Sequence, residues 1–286
     1  MKSDKIKKFA DLYTPEGEKL AGEENSVPWQ SYPRPRMKRN SFVCLNGEWD
    51  FYACEPSDEK NSKLIEDCLA VCGCSETVSR EFATAVVYNE KILVPFVPQS
   101  ILSGINKSFP EGTVYCYRKF VEYTKQKNDS RVLLHIDGVD RNALVVLNGK
   151  VVGCHSGGYE PFNFDVTEFW TEKNELKIFV TDDHKSCIYP YGKQREKRGG
   201  MWYTPISGIW QTVWVEEVSE TYITEVRTVS DLEGAYITVE TNLGVPTDGE
   251  LIFSENEREI RIKIIDGHAR MEPSSPVLWT PEAPHL

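Results

Sequence analysis

The stretch from Arg131 to Trp170 limits the possible folds of this chain more than any other part of it. It opens with Val132, Leu134 and Ile136 at alternate positions, the period of a strand with one apolar face. A second apolar run, Ala143 to Leu147, leads into Asn148-Gly149 and then Lys150-Val151-Val152. Asn-Gly between two apolar runs specifies a tight hairpin, because both residues tolerate positive φ. Ser156-Gly157-Gly158-Tyr159 follows as a bend where side chains would obstruct the backbone. The segment therefore predicts antiparallel β structure.

The rest of the chain extends that pattern. Strands are predicted at Gly47 to Tyr52, Lys91 to Val94, Tyr115 to Tyr123, around Leu176 to Val180, and at Ile209 to Glu216. A domain boundary falls near Val218-Ser219-Glu220. Beyond it, strands are predicted at Tyr222 to Val229, Ala235 to Thr241, Glu250 to Ser254, Glu259 to Ile265 and His268 to Glu272. The fourth of these sets Ile260, Ile262 and Ile264 against Glu259, Arg261 and Lys263, as a half-buried antiparallel strand does. Short strands separated by turn signals predict β-sandwiches. Two segments differ. Residues 1–40 are polar and irregular, and Trp29 with Pro33-Arg34-Pro35-Arg36 predicts an extended arm on a domain surface. Within 57–85, Leu64, Ile65, Cys68, Leu69 and Cys72 recur at helical spacing, with Gly73 placed to end the helix, so a helical insertion is expected there.

At 286 residues the chain has room for two cores. A net charge of −11 disfavours nucleic acid and anionic membrane as partners. No window has the length and apolarity of a membrane-spanning helix. Residues 1–26 lack the apolar core of a secretion signal, and the expected location is the cytoplasm. On that basis the eight cysteines are expected to be reduced. Cys68, Cys72 and Cys74 cluster, but their spacing and the lack of a nearby histidine favour incidental thiols over a metal site. No metal or other cofactor is expected.

Several phrases, in order and spread over most of the first domain, resemble the N-terminal half of glycoside hydrolase family 2, the β-galactosidase and β-glucuronidase family. They include Tyr32-Pro33-Arg34-Pro35, Leu45-Asn46-Gly47-Glu48-Trp49, Val94-Pro95-Phe96-Val97-Pro98-Gln99-Ser100 and Asp137-Gly138-Val139-Asp140. Leu147-Asn148-Gly149-Lys150, His155-Ser156-Gly157-Gly158-Tyr159 and Ser207-Gly208-Ile209-Trp210-Gln211 continue the series. The resemblance implies an all-β fold, with a jelly-roll sugar-binding-like domain over 41–217. A truncated immunoglobulin-like sandwich would follow over 218–286, with the stretch from Val277 to Leu286 as a phrase inside it.

In that family a catalytic (β/α)8 barrel follows the sandwich. The stretch after residue 217 is too short for a barrel of roughly 250 residues. Retaining glycoside hydrolysis needs two carboxyl groups roughly 5 Å apart. The resemblance places both in the barrel, so no residue here is assigned a catalytic role and the chain alone is expected to be inactive. The expected role is the non-catalytic N-terminal portion of a β-galactosidase-like enzyme. Its partner would be the catalytic barrel of that enzyme, with carbohydrate as a candidate ligand and a homo-oligomer as a form of the full-length protein. A stand-alone carbohydrate-binding module and a purely structural packing domain are the alternatives.

The candidate ligand-facing segment is Tyr189 to Tyr203. There Tyr191, Trp202 and Tyr203 offer faces for the C–H side of a sugar, and Lys193, Gln194, Arg195 and Arg198 offer groups for hydroxyls. Some members of the family carry a sugar- or cation-binding Asp just before a Met-Trp pair. Here Gly200 stands before Met201-Trp202. Packing against a barrel therefore outweighs direct sugar contact in the sequence. Asp137, Asp140 and the Asp182-Asp183 pair are read as turn residues. The five histidines show no metal-ligand spacing.

Overall fold

The structure, a computed structural model, describes residues 13–23, 27–34, 37–58, 86–183, 189–197, 199–255, 257–274 and 276–284. Most of the expected helical insertion at 57–85 lies outside them, as do Cys68, Cys72 and Cys74. The chain divides into two compact units, Met1–Pro33 with Ser41–Glu217 and Arg34–Asn40 with Val218–Leu286.

The first unit contains α1 (Pro15–Gly22) and strands β1 (Val43–Cys44), β2 (Gly47–Cys54), β3 (Glu90–Val94), β4 (Val114–Glu122) and β5 (Arg131–Ile136). These are followed by β6 (Val139–Asp140), β7 (Asn142–Leu147), β8 (Lys150–Ser156), β9 (Phe162–Asp165), β10 (Lys173–Thr181), β11 (Gly208–Ile209) and β12 (Val213–Val218). A six-stranded sheet has the order β3-β2-β4-β10-β7-β8 and a four-stranded sheet the order β1-β12-β5-β9. A small third ladder joins β11 to β6.

Asn148 (φ 51°) and Gly149 (φ 80°) make the tight turn between β7 and β8. The preceding strand, β5, belongs to the other sheet, so the chain crosses the sandwich between Ile136 and Asn142. The core lies between the sheets. Phe51, Tyr117, Ile178 and Val145 form one cross-strand row over β2, β4, β10 and β7, and they pack with Val132, Leu134, Ile136, Val213 and Val215 of the facing sheet. The opposite face of the six-stranded sheet carries a second buried row of Cys116, Phe179 and Leu144. Strands β4, β7 and β10 thus bury residues on both faces, which is why Ala143 to Leu147 is apolar without alternation.

Two expectations change. The N-terminal arm contains a helix: Thr14 accepts a hydrogen bond from the Gly17 amide at 3.0 Å, and Pro15 occupies the first turn, where its missing N–H costs nothing. Residues 27–34 form neither helix nor strand, and Tyr32 packs edge-on against Trp214 at 5.4 Å and donates to Glu216 at 3.1 Å. The strand expected at Ile209 to Glu216 is two strands, β11 and β12. The break begins at Trp210, whose indole N–H donates to the Gly158 carbonyl at 2.8 Å.

The second unit contains β13 (Ile223–Ser230), β14 (Ala235–Thr241), β15 (Gly249–Glu255), β16 (Arg258–Ile264) and β17 (His268–Met271). They form a three-stranded antiparallel sheet, β13-β14-β17, and a two-stranded ribbon, β15-β16. Ile260, Ile262 and Ile264 fall on one face of β16 as the alternation predicts. Ile237, Ile264 and Ala269 are the buried residues of this unit's apolar cluster.

Candidate functional site

The segment singled out in the sequence folds into a narrow ribbon in the first unit. The Tyr203 amide donates to the Lys193 carbonyl at 2.8 Å and the Arg195 amide to the Tyr203 carbonyl at 3.1 Å. Gly199 and Trp202 exchange backbone hydrogen bonds, each 3.2 Å long, across the tip. Gly200 (φ 60°) occupies this turn.

A cleft of about 290 Å³ lies against this ribbon. Tyr191, Lys193, Gln194 and Tyr203 line it, joined by Asp140, Tyr159 and Trp210 from elsewhere in the unit. Gln194 is buried and its side-chain oxygen accepts the Ile206 amide at 2.9 Å, so it braces the loop. Arg195 and Trp202 do not line the cleft. They stack on each other, with the guanidinium 3.8 Å from the indole ring centroid. Arg198 lies outside the described residues.

The cleft's far wall comes from residues that no local pattern marked. Tyr159 and Trp210 meet edge-on at 6.2 Å. Asp140, at the end of β6, is buried with its carboxylate close under Gly158. Burial, and then the Asp140 charge, push the Tyr159 phenol above its ordinary pKa, so it remains a neutral donor. The signals for this wall were the Gly157-Gly158-Tyr159 and Ser207-Gly208-Ile209-Trp210 phrases, which marked a relationship but carried no ligand chemistry of their own.

Other sequence candidates serve as structural ties. The Asp137 carboxylate accepts the Trp214 indole N–H at 3.1 Å, a link 77 residues long. Asp182 accepts the Ser207 hydroxyl at 2.9 Å. Cys44, Cys54, Cys116 and Cys154 form no disulfide. Among the described residues no group of three or more His, Cys, Asp or Glu side chains is placed to hold a metal ion, and no helix is long and apolar enough to cross a membrane.

Residues 73–203 match the profile of the glycosyl hydrolase 2 galactose-binding domain-like family. A β-galactosidase of Thermoanaerobacter pseudethanolicus is 27% identical over 214 residues, covering 65% of this chain and 28% of that protein. A putative β-glucuronidase of Formosa agariphila is 25% identical over 194 residues, covering 59% of this chain and 22% of its own. The β-glucuronidase structure of Ruminococcus gnavus superposes with a TM-score of 0.59 at 13% identity, over 87% of this chain and 41% of that one. The chain resembles the N-terminal portion of the β-galactosidases and β-glucuronidases of glycoside hydrolase family 2, and it spans less than a third of these curated relatives.

Proposed function

We propose that the chain is the non-catalytic N-terminal part of a retaining β-glycosidase of the β-galactosidase or β-glucuronidase kind, and that its loop end presents a saccharide-binding cleft. The observation that carries this reading is the concave arrangement of Tyr159, Tyr191, Tyr203 and Trp210 beside Lys193. A cleft of this size is near the lower end of the range for small-ligand sites, about 300–1,000 Å³. Aromatic rings contact the C–H face of a sugar ring, and a phenol or ammonium group bonds its hydroxyls.

The ribbon tip favours a second role. Tyr203 is 71% exposed and Met201 56% exposed, so apolar surface stands ready to meet a neighbouring domain. In the proposed enzyme that neighbour is the catalytic barrel, which supplies both carboxyl groups. The antiparallel sheet and ribbon of the second unit support an immunoglobulin-like sandwich.

Calorimetric titration of the chain with galactose and with glucuronic acid tests the cleft. Binding of either sugar is expected, weakened about tenfold by Tyr191→Ala. Nitrophenyl β-galactoside and β-glucuronide should not be turned over. No binding of either sugar defeats the saccharide reading, and turnover that survives repurification defeats the non-catalytic one.

A further inference from the structure

Beside the aromatic cleft lies a larger one of about 600 Å³. Thr204 lines both, so the two meet at that residue. Their chemistry differs. The first is walled by aromatic rings. The second carries the polar side chains of Gln99, Asn106, Lys107, Ser108 and Glu196 beside Phe109, Pro110 and Pro205, from the loop after β3 and the loop after β10.

These polar groups are a mixed set. The side chains of Asn106 and Ser108 are exposed and make no hydrogen bond among the described residues. An amide and a hydroxyl each offer both a donor and an acceptor. Lys107 is held in place, its ammonium 3.3 Å from Glu55 and 4.5 Å above the Phe109 ring. With Glu196 in the same wall, the cleft does not present the uniform positive charge that a phosphate or sulfate ligand selects. Donors and acceptors of both kinds match the hydroxyls of a neutral sugar. The volume is in the ordinary range for ligand sites, about 300–1,000 Å³, and exceeds that of the aromatic cleft.

We propose that this polar cleft is a second saccharide subsite, so that the loop end of the sandwich binds an oligosaccharide across Thr204. One ring lies against Tyr191 and Tyr203, and the next units lie along Asn106 and Ser108. The inference rests on the saccharide reading of the aromatic cleft and adds length selectivity to it.

The test is calorimetry on the full chain with galactose, a β-linked galactobiose and a β-linked galactotriose. Affinity should rise about tenfold from galactose to galactotriose. The double variant Asn106→Ala/Ser108→Ala should abolish that rise and leave galactose affinity and the melting temperature unchanged. Tyr203→Ala should weaken all three ligands together. Equal affinity for the three sugars in the unaltered chain overturns the second subsite and leaves the first standing, as does a rise that persists in the double variant. Failure of every sugar to bind removes the saccharide reading itself, and this inference with it.

Discussion

In the first unit, a core from Trp49 on β2 to Val215 on β12 fills the space between two sheets, and a second buried cluster covers the other face of the six-stranded sheet. In the second unit, Ile237, Ile264 and Ala269 form the buried cluster, and Val226, Val239, Leu251, Ile262 and Met271 around them are only partly buried. Both units use antiparallel strands and similar residues. The difference lies in how many faces of each strand are covered. β7 is buried along five of its six positions, whereas β13 has no fully buried residue. Burial on both faces roughly doubles the apolar area removed from water per strand, and hydrophobic stabilisation follows that area. A two-stranded ribbon such as β15-β16 depends on the sheet it packs against.

Paired core truncations give the largest test of this contrast. Phe51 is fully buried among Phe109, Tyr115 and Tyr117, so Phe51→Ala should cost about 3–5 kcal/mol. Ile237 is 6% exposed with partly open neighbours that can relax into the space, so Ile237→Ala should cost about 2 kcal/mol. Urea unfolding followed by tryptophan fluorescence and by circular dichroism separates the two. Equal losses would mean that the second unit is as tightly packed as the first.

Native-state hydrogen exchange gives a finer comparison without altering the chain. The amides of β4, β7 and β10, central in a sheet buried on both faces, should exchange slowest. Those of β15 and β16 should exchange fastest among the strands of five residues or more. Comparable protection of β10 and β16 would break the contrast.

What could be read in advance follows the same division. The Asn148-Gly149 turn and the Ile260-Ile262-Ile264 alternation are local, each set by a few neighbouring residues, and both appear where the sequence puts them. The α1 helix was missed because its start rests on one cap and one proline in a polar segment, without an apolar stripe to mark it. The break between β11 and β12 was missed because its cause is distant. Gly208 (φ 98°) lies where a Cβ would come within 2.2 Å of the Tyr117 hydroxyl, and Trp210 is held by Gly158. The candidate site divides likewise. Its ribbon, with Tyr191, Lys193, Gln194 and Tyr203, is one stretch of chain rich in aromatic and polar residues. Its other wall, Asp140, Tyr159 and Trp210, comes together only when the β6–β7 crossing and the β11 ladder bring distant segments side by side.

The smallest expected effect concerns how the first unit is closed at the end of β12. Glu217 accepts hydrogen bonds from the Tyr123 hydroxyl at 2.8 Å, from the Gln126 amide at 2.8 Å, from the Lys127 amide at 2.9 Å and from the Ser130 hydroxyl. Burial alone would raise its pKa. The Gln126 amide and the Ser130 and Tyr123 hydroxyls outweigh burial and hold the carboxyl below its usual range. A depressed folded pKa means that the unfolded chain binds the proton more readily. The stabilisation is therefore complete above the unfolded value near 4.5 and is lost as pH falls through the lower folded value. Glu217→Gln removes the charge and keeps the shape, at an expected cost of roughly 1–3 kcal/mol at neutral pH. Below the folded value the variant and the original should converge. The carboxylate thus accounts for part of the acid sensitivity of the first unit. Melting temperatures of both proteins from pH 7 down to pH 3 measure this directly: a gap that narrows with acid supports the assignment, and the absence of a gap at pH 7 would show that Glu217 acts through its shape and not its charge.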